Sequence, residues 1–186
     1  MEQESARFVQ GLHRGDPEVL DALIETYQHR LFRYLMSLTG NRAMAEDLFQ
    51  ETWLRVLERG SQYRSQWSFD VWLFSIARHL VIDDARRKKG VSLDEMMDTE
   101  TGTGFEPSAR DLSPFELLAV GQQGERVARV LSRLPAIHRE VLVLRFHEEL
   151  ALEDIGSIIK TPLSTVKSRL YRGLEAFRKE MSAEQA

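Results

Sequence analysis

Apolar residues recur every three or four positions along most of this chain, and the alternation typical of β-strands is nearly absent. Asp16-Pro17 predicts a helix start, because aspartate accepts hydrogen bonds at an N-cap and proline fits the first helical turn. Gly40-Asn41 predicts the end of that helix. The sequence therefore predicts an all-α fold. The apolar stripe of this first long helix comprises Leu20, Leu23, Ile24, Tyr27, Leu31, Leu35 and Leu38.

The helical pattern fails between residues 91 and 114, and this break divides the chain. The segment carries two glycines and six acidic residues against one basic residue. Such a composition buries too little apolar surface to offset the entropy of ordering, so we predict a flexible acidic linker over 91–114. Two small helical domains are expected on either side of it, over residues 1–90 and 115–186.

Composition excludes several classes of protein. The absence of cysteine excludes disulfides and a thiolate zinc site. No run approaches the roughly 18 apolar residues of a membrane helix, and the charged first thirty residues do not fit a signal peptide. We therefore expect a cytoplasmic protein without membrane insertion. Five scattered histidines, no phosphate-binding glycine loop and no nucleophile elbow argue against an enzyme, a metal site and a cofactor.

Residues 152–174 predict two short helices joined by a tight turn, as in DNA-binding helix-turn-helix motifs. The first helix is apolar at Ile155, Ile158 and Ile159, and Gly156 allows the second helix to approach closely. Thr161-Pro162 predicts the start of the second helix. The buried stripe of that helix is predicted to comprise Val166, Leu170, Leu174 and Phe177, and its opposite face Ser164, Lys167, Ser168, Tyr171, Arg172 and Arg178. Hydroxyls, cations and one aromatic ring suit base edges and phosphates in a major groove, although a solvated amphipathic helix is the alternative.

A second basic segment ends the aromatic-rich stretch Phe69–Lys89. Its terminal cations suit backbone phosphates, which position DNA without reading its sequence. Arg78, His79 and Ile82 are predicted on the outward face of this helix, and Phe69 and Trp72 in the core. Two aromatic residues in the looser segment before it are expected to stack on melted bases, and these are Tyr63 and Trp67.

The net charge of the chain and its distribution affect how strongly these surfaces could bind DNA. The net charge is −4, and the acidic excess lies in the linker, while the two flanking parts are near neutral. Few phosphates can be neutralised by such a chain, so free DNA should be bound weakly. Either the protein does not bind DNA, or a larger partner supplies most of the affinity.

The stretches Glu153-Asp-Ile155 and Thr165-Val-Lys-Ser-Arg-Leu170 are similar to region 4 of the extracytoplasmic-function (group 4) sigma factors of bacterial RNA polymerase, in the sigma-70 family. The chain departs from their pattern at Lys160 and Ser164, where glycines are usual. A lysine tolerates a left-handed turn at modest cost. The resemblance implies docking on the polymerase β flap and reading of the minus-thirty-five promoter element by Ser164, Lys167, Ser168, Tyr171 and Arg172.

The stretch Ala45–Leu57 resembles region 2.2 of the same family, which docks on the clamp helices of the polymerase β′ subunit. This resemblance assigns polymerase binding to Asp47, Gln50 and Glu51. The residue pattern agrees, because Phe49, Trp53, Val56 and Leu57 are expected to be buried. The remaining polar stripe then suits a basic helical partner, although a merely solvated face is the commoner meaning of such a stripe.

The stretch Phe69–Lys89 resembles regions 2.3 and 2.4, with His79 in place of a usual asparagine. The resemblance and the basic pattern together assign the minus-ten element to Tyr63, Trp67, Arg78, His79, Arg86, Arg87, Lys88 and Lys89.

The predicted function is that of an alternative sigma factor, which binds core RNA polymerase and directs transcription initiation at particular promoters. The implied partners are core polymerase, promoter DNA and an anti-sigma factor. A stand-alone helix-turn-helix regulator, binding operator DNA as a dimer without polymerase, is the alternative. A purely structural helical adaptor would leave both basic faces unexplained.

Overall fold

The computed structural model describes the backbone of residues 2–89 and 114–184, and the side chains of residues 8–87 and 124–184. Nearly all of the predicted linker lies outside these ranges. All regular elements within them are helical, which confirms the all-α prediction. The α-helices are α1 (Glu2–Arg14), α2 (Pro17–Thr39), α3 (Arg42–Arg59), α4 (Phe69–Lys89), α5 (Pro114–Arg133), α6 (Ala136–Leu142), α7 (Leu152–Ile159) and α8 (Leu163–Ala183).

Local signals set the boundaries of the first helices as predicted. The Asp16 side chain accepts a hydrogen bond from the Glu18 amide at 3.0 Å, which caps α2. Gly40 ends α2 in the left-handed conformation with φ 57°, which glycine adopts without steric cost. Asn41 then caps α3 by accepting from the Met44 amide at 3.0 Å.

The first domain packs α1 to α4 around an apolar core. Its largest fully buried side chains are Tyr34, Phe74, Leu12, Leu31, Leu35 and Leu73. The rings of Tyr34 and Phe74 meet edge to face at 5.0 Å between centroids, a favoured geometry for aromatic pairs. This core holds α4 against α2 and α3, so that the basic end of α4 has a fixed support.

The second domain contains the two helices of the predicted motif. The turn between α7 and α8 begins at Lys160, which has φ 53° and ψ 46°. This confirms that a lysine occupies the left-handed turn where relatives of the resembled family favour glycine. A Cβ at Gly156 would lie 3.0 Å from the Thr161 carbonyl oxygen in the turn and 3.6 Å from Val166 Cγ2 on α8, so the predicted close approach of the second helix at this glycine is also confirmed.

The predicted N-cap of α8 is wrong by one residue. The helix begins at Leu163 with Pro162 at the cap position and no side-chain cap hydrogen bond. The Thr161 amide instead donates to the Gly156 carbonyl at 3.1 Å. Thr161 therefore closes the turn after α7, because the left-handed residue before it directs its amide back to that helix.

Lys160→Gly should raise the free energy of unfolding by about 0.5–1 kcal/mol, because the strain of a left-handed non-glycine residue slightly exceeds the added entropy of the unfolded chain. Gly40→Ala is the reverse kind of substitution, because it replaces a glycine that has a similar φ of 57°. It should lower the free energy of unfolding. Urea unfolding at neutral pH measures both. A loss of stability in Lys160→Gly would contradict the turn geometry.

The two domains pack directly against one another. Helix α4 of the first domain lies along α7 of the second, and α2 contacts α6. One apolar cluster contains buried residues of both domains, including Leu35 and Phe74 from the first and Ile155 and Ile158 from the second. The two domains, which the sequence predicts to be joined by a flexible linker, therefore pack together in this structure, and we call this arrangement the closed form.

Candidate nucleic-acid interface

The outer face of α8 has the exposure that the motif predicts. Val166 and Leu170 are buried beneath the helix, and a Cβ at Gly173 would lie 3.2 Å from the Cβ of His138 on α6. The inner side of α8 therefore packs closely against α6. Its predicted DNA-facing residues are all exposed, with Tyr171 at 69%, and they are Ser164, Lys167, Ser168, Tyr171 and Arg172.

The end of α4 forms a second exposed basic surface. The side chains of His79, Arg86 and Arg87 are exposed, as predicted. His79 Nε2 lies 3.3 Å from Asp83 Oδ2, one turn further along the helix. Lys88 and Lys89 belong to the same helix, but their side chains lie outside the described ones. Trp67, in the segment before α4, is 47% exposed and available for stacking.

The predicted exposure of Tyr63 is wrong. Its side chain is only 5% exposed, and its hydroxyl donates to the Trp67 carbonyl at 2.9 Å. Its ring packs 5.8 Å from that of Phe69 and 5.2 Å from that of Trp72. An aromatic cluster at the start of α4 therefore takes Tyr63 into the core, and the tyrosine holds the loop that presents Trp67. The core positions predicted for Phe69 and Trp72 are confirmed, with Trp72 half-buried.

The predicted outward position of Arg78 is also wrong. Arg78 is 6% exposed and the neighbouring Ile82 is 7% exposed. The cause lies in the second domain, whose helix α7 covers this face of α4. Arg78 Nε lies 2.9 Å from Glu140 Oε1, although the two residues are 62 positions apart.

Glu140 joins the two domains through a buried polar cluster, which we call the interdomain clasp (Tyr34, Arg78 and Glu140). The Glu140 side chain is fully buried, and its Oε1 also accepts from the Tyr34 hydroxyl at 2.9 Å. Burial, and then the Glu140 carboxylate, raise the pKa of Tyr34 well above its ordinary value, so the hydroxyl stays protonated as a donor.

A second link crosses the domains nearer to solvent. Arg30 Nε lies 2.7 Å from Glu148 Oε2, and Arg30 Nη2 lies 2.7 Å from Asp70 Oδ1. The Glu148 side chain is fully buried, while Arg30 is partly exposed. The guanidinium also lies 5.1 Å from the centre of the Tyr27 ring. These contacts attach α2 and α4 to Glu148, which follows the π-helical segment Val143–His147 that continues α6.

The acidic stripe of α3 is accessible, as predicted. Asp47 and Gln50 are exposed and Glu51 is half-buried. Arg55 pairs with Glu51 at 2.9 Å and with Glu58 at 2.7 Å, so part of the acidic charge is neutralised within the helix. These pairs are exposed and add little stability.

An apolar pair beside this stripe was missed by the sequence argument. Leu54 is 52% exposed and Leu57 is 50% exposed, so the predicted burial of Leu57 is wrong. The buried side of α3 is set by Trp53 and Val56 instead. Apolar side chains flanked by polar residues are typical of a protein interface.

Comparison with known proteins agrees with the sequence resemblance. Residues 23–91 match the family described as Sigma-70 region 2, and residues 130–179 match Sigma-70, region 4. The chain is 30% identical to the ECF RNA polymerase sigma factor SigW of Bacillus subtilis (strain 168), over 97% of this chain and 98% of that protein. It is 26% identical to the RNA polymerase sigma-H factor of Pseudomonas aeruginosa, over 97% and 95% of the two chains.

Solved structures share the fold. The sigma factor RpoE of Bartonella quintana, in complex with the anti-sigma factor NepR, superposes with a TM-score of 0.65 at 20% identity, covering 87% of this chain and 96% of that one. CnrH, in complex with the cytosolic domain of CnrY, gives 0.64 at 19% identity, covering 95% and 96%. No helix in the described part of the chain is long and apolar enough to cross a membrane.

Proposed function

Because this chain belongs to the sigma-70 family of RNA polymerase sigma factors, we propose that it binds core RNA polymerase and directs initiation at particular promoters. The observation that carries the proposal is the presence of two different exposed surfaces suited to DNA, on α8 and along α4. A single recognition helix would suffice for an operator-binding regulator. Two surfaces on separate domains suit a promoter with two separate elements.

The recognition helix α8 would read duplex DNA of the minus-thirty-five element. Its exposed hydroxyls and cations can donate to base edges and phosphates, and the ring of Tyr171 can contact a thymine methyl group. Ser164, Lys167, Ser168 and Arg172 complete this surface. The tight seating of α8 on α6 favours a fixed presentation of these side chains, because Gly173 leaves no gap between the helices.

The surface along α4, from the segment before its start to the cations at its C-terminal end, would bind the minus-ten element. The described members of this surface are Trp67, His79, Arg86 and Arg87, while Tyr63 and Arg78 are left out because they are buried. Trp67 can stack on an unpaired base, which offsets part of the unstacking cost of a few kcal/mol. Arg86 and Arg87, with Lys88 and Lys89 beyond them, would hold backbone phosphates.

Promoter binding requires the two domains to separate. A compact chain of this length has a radius of gyration of about 16 Å and a diameter of roughly 40 Å. Elements at minus ten and minus thirty-five lie about 25 base pairs apart, which is roughly 85 Å at about 3.4 Å per base pair. The closed chain cannot reach both, so polymerase binding would have to hold the domains apart.

Polymerase binding would use the exposed stripe of α3, with Asp47, Gln50 and Glu51 meeting the β′ clamp helices and Leu54 and Leu57 adding apolar contact. The second domain would meet the β flap. Membership of the extracytoplasmic-function group is a further part of the proposal, supported by similarity to SigW. A cytoplasmic location, where RNA polymerase acts, and control by an anti-sigma factor complete it, and the latter is suggested by the shared fold of RpoE, which was solved with the anti-sigma factor NepR.

Gln50→Ala combined with Glu51→Ala should weaken binding to core polymerase by about tenfold or more, as expected when central interface residues are truncated. Fluorescence anisotropy with a dye on an introduced cysteine measures the affinity, because the chain has no cysteine of its own. The exposed Glu25→Ala on α2 serves as a control and should bind normally. Unchanged binding in the double variant would place the polymerase contact elsewhere.

Run-off transcription tests the proposal as a whole. Core polymerase is supplied with DNA fragments, including the region upstream of the protein's own gene, with and without the purified protein. Discrete transcripts that depend on the protein are expected. An absence of such transcripts, together with tight binding of the free protein to duplex DNA, would favour the stand-alone regulator instead.

A further inference from the structure

Helix α1 lies against the segment that presents Trp67, which we call the Trp67 segment (residues 60–68). The helix precedes the part of the chain that matches Sigma-70 region 2, which begins at residue 23. Gly60, at the start of the Trp67 segment, is buried, and a Cβ added there would lie 2.6 Å from the Leu12 carbonyl oxygen of α1. Because this contact joins two backbones, a displacement of α1 would move the Trp67 segment as well.

A side chain of α1 holds the same segment by a hydrogen bond. His13 Nε2 lies 2.8 Å from the Tyr63 carbonyl oxygen, although the two residues are 50 positions apart. A carbonyl oxygen only accepts hydrogen bonds, so the Nε2 atom carries the hydrogen and donates it. His13 is exposed, so replacing it removes this hydrogen bond without opening a cavity in the core.

Tyr63 connects α1 to Trp67. The Tyr63 ring packs edge to face against Phe8 of α1, at 6.0 Å between centroids, and its hydroxyl donates to the Trp67 carbonyl at 2.9 Å. Burial, and then the Asp70 carboxylate, raise the pKa of Tyr63, so the hydroxyl keeps its proton at neutral pH. Contacts therefore run from α1 through Tyr63 to the backbone of Trp67.

The Trp67 backbone is held on both sides, while its ring is free to bind. Its carbonyl accepts from Tyr63. The next residue, Ser68, accepts from the Val71 amide at 3.4 Å in the manner of a helix N-cap. The Trp67 side chain is nevertheless 47% exposed. An exposed ring on a fixed backbone loses little conformational freedom on binding, which favours stacking on a base.

We propose that α1 is a positioning element for promoter melting, and that His13 and Tyr63 are the positioning residues through which it holds Trp67 for stacking on an unpaired minus-ten base. The inference rests on the proposed function, because it takes the role given there to Trp67. Neither positioning residue contacts the base, since both act on the backbone of the Trp67 segment. Their effect on DNA binding therefore depends on the presence of the Trp67 ring.

Binding of a fluorescein-labelled single strand to core polymerase carrying this protein tests the positioning role. The probe is the non-template minus-ten strand of a promoter defined by run-off transcription. Trp67→Ala should weaken binding by about 5- to 150-fold, as for the loss of one base stack. Tyr63→Phe keeps the ring and removes the hydroxyl, and it should weaken binding by about three- to tenfold. In the Trp67→Ala background, Tyr63→Phe should have no further effect, because the ring that it positions is absent.

The His13 variants separate the hydrogen bond from the stability of α1. His13→Ala should weaken binding of the probe by about two- to fivefold, although alanine is the better helix former. His13→Gln should restore most of the affinity, because the glutamine amide can donate to the same carbonyl. His29→Ala, at an exposed position on α2, makes the same substitution away from the Trp67 segment and should bind normally.

Three results would overturn the positioning role while leaving the proposed function intact. These are normal binding in Trp67→Ala, normal binding in both Tyr63→Phe and His13→Ala, and equal losses from Tyr63→Phe with and without the Trp67 ring. The last result would mean that the hydroxyl only stabilises the fold. An absence of protein-dependent transcripts in the run-off assay would instead refute the proposed function, and the positioning role with it, so the two failures are distinguishable.

Discussion

Glu140→Ala is expected to lower the free energy of unfolding by about 3–5 kcal/mol, because it removes one partner of a buried ion pair. Arg78 would keep its charge in a nearly dry site, where it is 6% exposed. The Tyr34 hydroxyl, fully buried, would also lose its acceptor. Both losses fall on the contact between the two domains, so the variant should also spend more time in an open form.

Urea unfolding at neutral pH measures this change, with Glu153→Ala as the matched control. Glu153 is an exposed carboxylate in the first turn of α7, and its loss should change stability by less than about 0.5 kcal/mol. Replacing both partners, as in Arg78→Met with Glu140→Leu, should recover most of the loss, because both buried charges of the pair are then removed. A loss below about 1 kcal/mol in Glu140→Ala would mean that the closed packing is absent in solution.

The second large effect is expected on promoter recognition. Lys167→Ala and Arg172→Ala should each lower promoter-dependent transcription by about 5- to 150-fold, which corresponds to about 1–3 kcal/mol for a specific base contact. Both residues lie on the exposed face of α8, so neither substitution should disturb the core. Binding to core polymerase should stay unchanged, because neither residue belongs to the α3 surface and the outer face of α8 is assigned to DNA.

The same helix provides the control for these two variants. Lys179 is an exposed cation near the end of α8, beyond the segment that would enter the groove, and Lys179→Ala should leave transcription nearly unchanged. Run-off assays and polymerase-binding anisotropy are performed on all three variants. Loss of polymerase affinity in Lys167→Ala or Arg172→Ala would contradict the division of roles between the α3 surface and the outer face of α8.

The parts of the fold that depend on local chemistry could be predicted from the sequence. The caps at Asp16 and Gly40 act within one turn of the helix ends, so their residue types suffice to place them. The exposed face of α8 also follows from the chain itself, because Val166 and Leu170 settle which side is buried. Lys160 could be assigned a left-handed conformation because the helix-turn-helix needs a turn there.

The orientation of Arg78 could not be predicted, because it depends on a residue far along the chain. Periodicity places Arg78 on the side of α4 away from the core of its own domain. That side is covered by the second domain, through a contact with Glu140 that spans 62 positions. The charge pair of Arg30 and Glu148 spans 118 positions. The sequence around Arg78 and Arg30 does not distinguish them from charged residues that face solvent. Only the packing of the two domains shows which of these charges are paired.

Tyr63 and Leu57 were misplaced for related reasons. Tyr63 follows a short 3-10 turn over Gly60–Gln62, and this turn brings its ring back onto Phe69. A loop aromatic residue next to a helix rich in aromatic residues gains more from such packing than from exposure. The spacing of Leu57 from Trp53 places it at the edge of the predicted buried stripe, yet Trp53 and Val56 already fill that side of α3. Leu54 and Leu57 therefore remain exposed and form part of the surface assigned to polymerase.

Permanganate footprinting on a promoter defined by run-off transcription tests the central claim most directly. Core polymerase with this protein should make thymines of the minus-ten element reactive, because the bases are unpaired there, and should protect the minus-thirty-five element from nuclease. Neither the protein alone nor core polymerase alone should do so. Protection of a symmetric site by the protein alone, with no reactive thymines when polymerase is added, would contradict its assignment as a promoter-melting sigma subunit.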